Sequence, residues 1–174
     1  GLLLRMHGLG TESLWLDEGI VLQEVRHNPL TGFLSGRAHF LGHPPLGLAA
    51  LKLWSLLMGE GLATARLFTV IMGTCTIAAL YLLGRKLTGR VAASIAAILV
   101  SLSTYHIVYS QDISDYALLG LEVVLALYLF LRVSESPKPA SAAAFALVNL
   151  LGLYTHTFYL YVAGAHLLAA MVFC

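Results

Sequence analysis

Residues 62–83 read LATARLFTVIMGTCTIAALYLL, an apolar run whose one charge, Arg66, lies in its second turn. As a helix rising 1.5 Å per residue it is about 33 Å long, enough to cross a hydrocarbon core of ~30 Å. Further stretches outward from it have the same character. Val91–Val108 carries no charge, and Tyr116–Leu131 carries only Glu122 before Arg132. Ala140–Tyr154 is shorter, and Phe158–Cys174 follows after a small break. The expected fold class is all-α, a polytopic transmembrane helical protein. Composition agrees: 59% of the 174 residues are apolar and 11% charged, against about 45–50% and 25% in a soluble domain. Too few charges remain to clothe a water-facing surface.

Net charge +1 excludes a strongly basic nucleic-acid binder. The two cysteines, Cys75 and Cys174, lie in apolar runs and offer neither a disulfide framework nor a zinc knuckle. No repeat of 20–50 residues occurs, so solenoids are excluded. Gly1–Leu4 reads as the last turn of a span that begins before it, with no basic region of a signal peptide.

Orientation follows from basic residues in short loops. Gly84–Arg90 holds Arg85, Lys86 and Arg90, and Arg132–Lys138 holds its two terminal cations. Ser103–Asp115 and Thr155–Thr157, at the other ends of the spans, hold none, and the long segment Arg5–Glu60 holds four widely spread. The two basic loops are therefore expected inside. The first segment, the Tyr105–Asp115 region and Thr155–Thr157 then meet on the outer face. Within residues 5–60, Ser13–Leu22 mixes apolar and acidic residues around Trp15, an interfacial residue type. Leu46–Met58 is apolar, opens after Pro44-Pro45, and at about 20 Å is too short to span. Two short helices lying in the outer interface are expected there.

Candidate chemistry gathers on this face. Adjacent Asp17 and Glu18 can supply a general base and a second group that orients substrate or holds a divalent cation. Alternatively, Asp17 caps the following helix and Glu18 favours its positive end. His43, ahead of Pro44, reads also as a polar residue at a helix entry. His39 and His43 stand four apart, but Gly42 and Pro44 interrupt the helix that would align them, and no metal site is assigned. Residues 105–116, YHIVYSQDISDY, form a polar aromatic turn. An aromatic belt explains Tyr109 and Tyr116 more easily than it explains Gln111, Asp112 and Asp115 together. The turn around His156 has the same character. Glu122 and Asn149, isolated in spans, read as hydrogen-bonded glue. Arg66 either snorkels or pairs with a lipid phosphate. No phosphate-cradling Gly loop and no serine nucleophile elbow is present.

The order of these motifs is more specific than any one of them. Leu14-Trp-Leu-Asp-Glu18, His43-Pro-Pro-Leu46, Leu51-Lys-Leu-Trp54 and Ala65-Arg66-Leu67 come first. Tyr81-Leu-Leu-Gly-Arg85, Tyr109-Ser-Gln111, Tyr116-Ala-Leu118 and Tyr154-Thr-His156 follow. The succession resembles the N-terminal half of the dolichyl-phosphate-mannose protein mannosyltransferase-like family. Its bacterial members include lipid A aminoarabinose transferases and related polyprenyl-phosphate-sugar glycosyltransferases.

The resemblance covers nearly the whole chain, which reads as a partial transmembrane glycosyltransferase domain. It implies a GT-C membrane fold in a bacterial or archaeal plasma membrane, with the site facing outward. It also implies transfer of a sugar from a polyprenyl-phosphate-linked donor to an acceptor hydroxyl on protein, lipid or glycan. By this match Asp17 is the general base with Glu18 beside it. His43, Arg66, Tyr109, Gln111, Tyr116 and His156 are the substrate-binding candidates, and the reaction inverts the anomeric carbon. The chain departs from the family at Ser114, where Arg is usual, which leaves Arg66 as the nearest candidate for the carrier phosphate. Two other classes remain open: a multi-pass transporter, whose polar groups would cluster near the bilayer midplane, and an idle membrane scaffold.

Overall fold

The computed structural model describes residues 1–11, 13–35 and 44–173; His39 and His43 lie outside them. Every element among the described residues is a helix. In chain order these are α1 (Leu2–Met6), α2 (Leu16–His27), α3 (Leu30–Leu34), α4 (Leu46–Met58) and α5 (Leu62–Thr88). Then come α6 (Arg90–Leu102), α7 (Thr104–Gln111), α8 (Tyr116–Glu135), α9 (Pro139–Thr155) and α10 (Tyr159–Phe173). Helices α5 and α8 are long and apolar enough to cross a membrane, and α6 with α7 makes a third if the pair is one broken span. Helices α4, α9 and α10 are shorter apolar helices.

Helix α5 runs past the expected end at Leu83, taking Arg85 and Lys86 into its last turn, where cations suit the negative end of the helix dipole. Gly59 and Gly89 adopt φ +101° and +87°, a region that L side chains avoid. They turn the chain sharply on either side of α5.

The run 91–108, expected as one span, is two helices bent by 60° at Ser103. Ser103 is extended (φ −62°, ψ 118°), and its hydroxyl accepts from the His106 N–H at 3.4 Å, the N-cap of a new helix. The break strands the last carbonyls of α6, and Arg5 satisfies them. Its guanidinium donates to Ser101 O (3.2 Å) and Val100 O (3.5 Å), and also to Gly1 O (3.0 Å) and Ser110 Oγ (3.2 Å). It approaches His106 Nδ1 at 2.8 Å. Arginine carries no acceptor, so that nitrogen must accept and the proton sits on Nε2. Arg5 is fully buried and has no carboxylate partner among the described residues; the carbonyl end of α6 offers negative potential there.

Helix α5 is the hub, packed along α6, α7 and α8, while α9 lies on α8 and α10 on both. Small residues set these approaches: a Cβ at Gly73 would overlap Ser110 Oγ on α7, and one at Gly152 the Tyr159 ring. At the head of α5, helices α2–α4 pack into a small apolar core that includes Val25, Phe33, Leu48, Leu51, Ala65 and Ile113. The first segment is thus a packed cap on the bundle. Leu53, Leu56, Leu57 and Met58 of α4 remain exposed, as a helix bordering lipid would leave them.

Candidate active site

Between the cap and the broken span lies a cavity of about 340 Å³, lined among others by Trp15, Asp17, Tyr109, Gln111 and Asp112. Glu18 and Arg66 form its floor. The size falls within the range of roughly 300–1,000 Å³ usual for small-ligand sites.

The two adjacent carboxylates have opposite surroundings. Glu18 is 1% exposed, and its oxygens accept from Arg66 Nε (3.0 Å) and Nη2 (2.7 Å), a bidentate pair. They also accept from the backbone N–H of Ile113 (3.1 Å) and of Trp15 (3.2 Å). Burial by itself would raise this carboxyl. The hydrogen bonds from Arg66, Ile113 and Trp15, with the Arg66 charge, outweigh it and hold Glu18 below its ordinary value. Arg66 donates in addition to Leu9 O (3.0 Å) and Ser13 O (3.3 Å). Glu18 therefore clasps α2, the head of α5 and the α7–α8 turn together. Sequence reading set Glu18 beside Asp17 in the chemistry and offered Arg66 either to solvent or to a phosphate. In the structure the two groups are committed to each other.

Asp17 is exposed on the pocket, and its carboxylate makes no hydrogen bond or ion pair among the described residues. The cap alternative also differs: the N-cap of α2 is Trp15, with Asp17 inside the first turn. Its charge still suits the positive end of the helix, but capping does not occupy it. Across the pocket, burial, reinforced by the charges of Glu18 and Asp17, pushes the Asp112 carboxyl above its usual range.

The other candidates divide. Tyr109 lines the pocket, its ring 4.5 Å from that of Tyr105 and 5.9 Å, edge to face, from that of Tyr116. Gln111 also lines it, but its amide donates to Arg5 O (3.0 Å) and His7 O (2.8 Å), tying the end of α7 to α1. Tyr116 and His156 pack on each other at 5.4 Å, one ring step behind Tyr109. His156 is buried, its Nδ1 accepting from the Phe158 N–H at 3.0 Å. These two are not among the residues lining the pocket and reach it through Tyr109. His43 lies outside the described residues. Among those described, no three His, Cys, Asp or Glu side chains converge as a metal site. Glu122 accepts from Thr155 Oγ1 across α8–α9 (2.8 Å), and Asn149 accepts from Tyr159 Oη (3.4 Å), the interhelical glue expected of them.

Three residues gain weight from the structure. Asp112, in sequence one of two acids in a polar aromatic turn, lines the pocket. Trp15, expected from its residue type at the interface, lines the pocket. Arg5 had only one signal, an ionisable group directly after an apolar run, which is a functional mark in a membrane protein.

Fold and pocket together define an integral membrane protein with a polar site at one end of its helix bundle. The chain belongs to the dolichyl-phosphate-mannose-protein mannosyltransferase family, whose family model matches residues 42–174, more than half of its length. The family is one of glycosyltransferases of the GT-C type. The match begins beyond Asp17 and Glu18. No curated protein and no solved structure matches the chain.

Proposed function

We propose that the chain transfers a sugar from a polyprenyl-phosphate carrier to an acceptor hydroxyl at the outer membrane face, with Asp17 as general base. The observation that carries this is the division between neighbours: Glu18 is buried and fully engaged, while Asp17 stands on a ligand-sized pocket with no partner among the described residues. The acceptor O–H gives its proton to the Asp17 carboxylate as the oxygen attacks the anomeric carbon. The carbon–oxygen bond to the phosphate breaks, the phosphate leaves with the bonding pair, and in-line attack inverts the centre. A phosphate leaves readily, so no general acid is needed.

Orientation supports the outer face. The pocket adjoins Arg66 at the head of α5, and Arg85 and Lys86 stand at its tail, roughly 30 Å away at 1.5 Å per residue. There Lys86 pairs with Glu135 at the end of α8, bringing the two basic helix ends together. Cations collected at the end remote from the pocket fit a cytoplasmic surface.

Asp17→Asn tests the reading. Asn keeps the size of Asp but cannot take the proton, an effect worth about 10²–10⁴-fold. Full-length protein in liposomes, given a polyprenyl-phosphate sugar and acceptor, should lose transfer by about that factor with unchanged thermal stability. Transfer at the parental rate by well-folded Asp17→Asn would remove Asp17 as the base.

A further inference from the structure

Three consecutive apolar side chains at the rim are exposed, Leu14 (48%), Trp15 (75%) and Leu16 (79%), yet of the three only Trp15 lines the pocket. The backbone explains the division. Trp15 is extended (φ −74°, ψ 156°) directly before Leu16, the first helical residue, so the two side chains diverge where the chain enters α2. Its N–H donates to Glu18 Oε2, so the root of the indole is fixed by the buried Glu18–Arg66 clasp while the ring stays uncovered. The same pocket holds Tyr109, steadied by the rings of Tyr105 and Tyr116, and the carboxylates of Asp17 and Asp112.

This combination suits one ligand chemistry. A pyranose has an apolar face of C–H groups, which the electron-rich face of an indole attracts, and a rim of hydroxyls, which carboxylates accept from. We propose that Trp15 is the stacking platform for a pyranose ring in this pocket, while Leu14 and Leu16 alone face the lipid. The inference rests on the glycosyl-transfer reading and adds to it the residue that grips the sugar. A rigid ring seated two residues from Asp17 would hold a sugar beside the base at low entropic cost, since an indole has only two torsions to fix.

Tryptophan emission tests it, because Trp54 is the only other tryptophan and can be subtracted with the Trp15→Phe protein. The full chain in lipid nanodiscs is titrated with polyprenyl-phosphate mannose, with methyl mannoside, galactoside and glucoside, and with sugar-free polyprenyl phosphate. Trp15 emission should shift with at least one sugar-bearing probe and not with the sugar-free carrier. A response to the carrier-linked sugar alone assigns the donor ring, and a response to soluble glycosides alone assigns the acceptor ring. Trp15→Ala should weaken binding of the responding probe about tenfold, the equivalent of ~1.4 kcal/mol, with Phe retaining most of it. Brominated lipids should quench a tryptophan placed at Leu16 in the Trp15→Phe protein and spare Trp15 itself.

Emission blind to every sugar, or equal quenching of both positions by brominated lipid, would make Trp15 a bilayer anchor and overturn the proposal. The Asp17→Asn protein separates the two readings. If it still shifts with sugar but transfers normally, the base is wrong and the platform stands. If transfer needs Asp17 while Trp15 ignores sugar, the platform is wrong and the base stands.

Discussion

Glu18→Gln removes a charge from the most enclosed polar contact in the cap while keeping its shape. The carboxylate accepts from four donors, two on Arg66 and the N–H groups of Ile113 and Trp15. Gln offers one acceptor oxygen and turns an NH2 toward donors on the other side, so about half of these bonds become donor against donor. Arg66, 4% exposed, loses the carboxylate that accepts from its Nε and Nη2. Breaking a buried pair from one side costs about 3–5 kcal/mol, a large part of a typical stability of about 5–15 kcal/mol. For a chain of this size that is a fall in Tm on the order of 6–20 °C. Thermal unfolding of the detergent-solubilised chain at pH 7, followed by circular dichroism, reads it. Arg66→Gln should fall by a similar amount. The double variant should fall by less than the sum, because each single variant already breaks the contact that the two side chains share. Since folding depresses the Glu18 carboxyl, the pair's stabilisation is full above the unfolded value of ~4.3 and is lost as pH falls through the folded one. Glu18→Gln should lack that acid loss. Additivity of the two variants within ~0.5 kcal/mol would refute the clasp and return Glu18 to the catalytic pair.

Two further tests concern the turn and the membrane. Burial pushes Asp115 up to about 7, so between roughly pH 4 and 7 the folded protein holds a proton that the unfolded chain releases, and stability falls as pH rises through that window. Asp115→Asn should therefore raise Tm at pH 8 and leave it unchanged at pH 4; an equal effect at both would exclude titration of Asp115 as the cause. For orientation, single cysteines replace Thr88 or Asp112 in a chain lacking Cys75 and Cys174. An impermeant maleimide on intact cells should label position 112 and spare 88, and the reverse pattern would place the pocket inside.

The helical class was legible because length and apolarity together leave little else for runs such as 62–83 and 116–131. Their ends were less so: α5 gains its last turn from Arg85 and Lys86, whose long side chains carry charge back to water while the backbone stays helical. The bend at Ser103 could not be seen in an uncharged apolar run, because its cause lies about a hundred residues away in Arg5, which caps the carbonyls that the bend exposes. The site was half legible for the same reason. Asp17, Tyr109 and Gln111 come from motifs that advertise polar chemistry, and the pocket gathers all three. The partnership of Glu18 and Arg66, 48 residues apart, leaves no mark in either motif.

The Asp17-Glu18 dipeptide looked ambiguous between capping and catalysis because it was read as a unit, and helical geometry does not permit it to be one. Successive residues on an α-helix point about 100° apart, so at the first turn of α2 both carboxylates cannot face the same surroundings. With Val21, Leu22 and Val25 turned inward, the position that joins their face is Glu18. An acid there has to find a cation, and α5 brings Arg66 to it. The neighbouring position is thereby turned outward, over the space between cap and broken span, where its carboxylate has no hydrogen-bond or ion-pair partner among the described residues. The buried acid fixes the backbone from which the open acid projects, through the bond from the Trp15 N–H to Glu18. Under the proposed function the pair is one device with two parts, and damage to either should lower transfer by a different route. Loss of Asp17 should remove the proposed proton acceptor from an intact fold, whereas loss of Glu18 should loosen the fold around that acceptor.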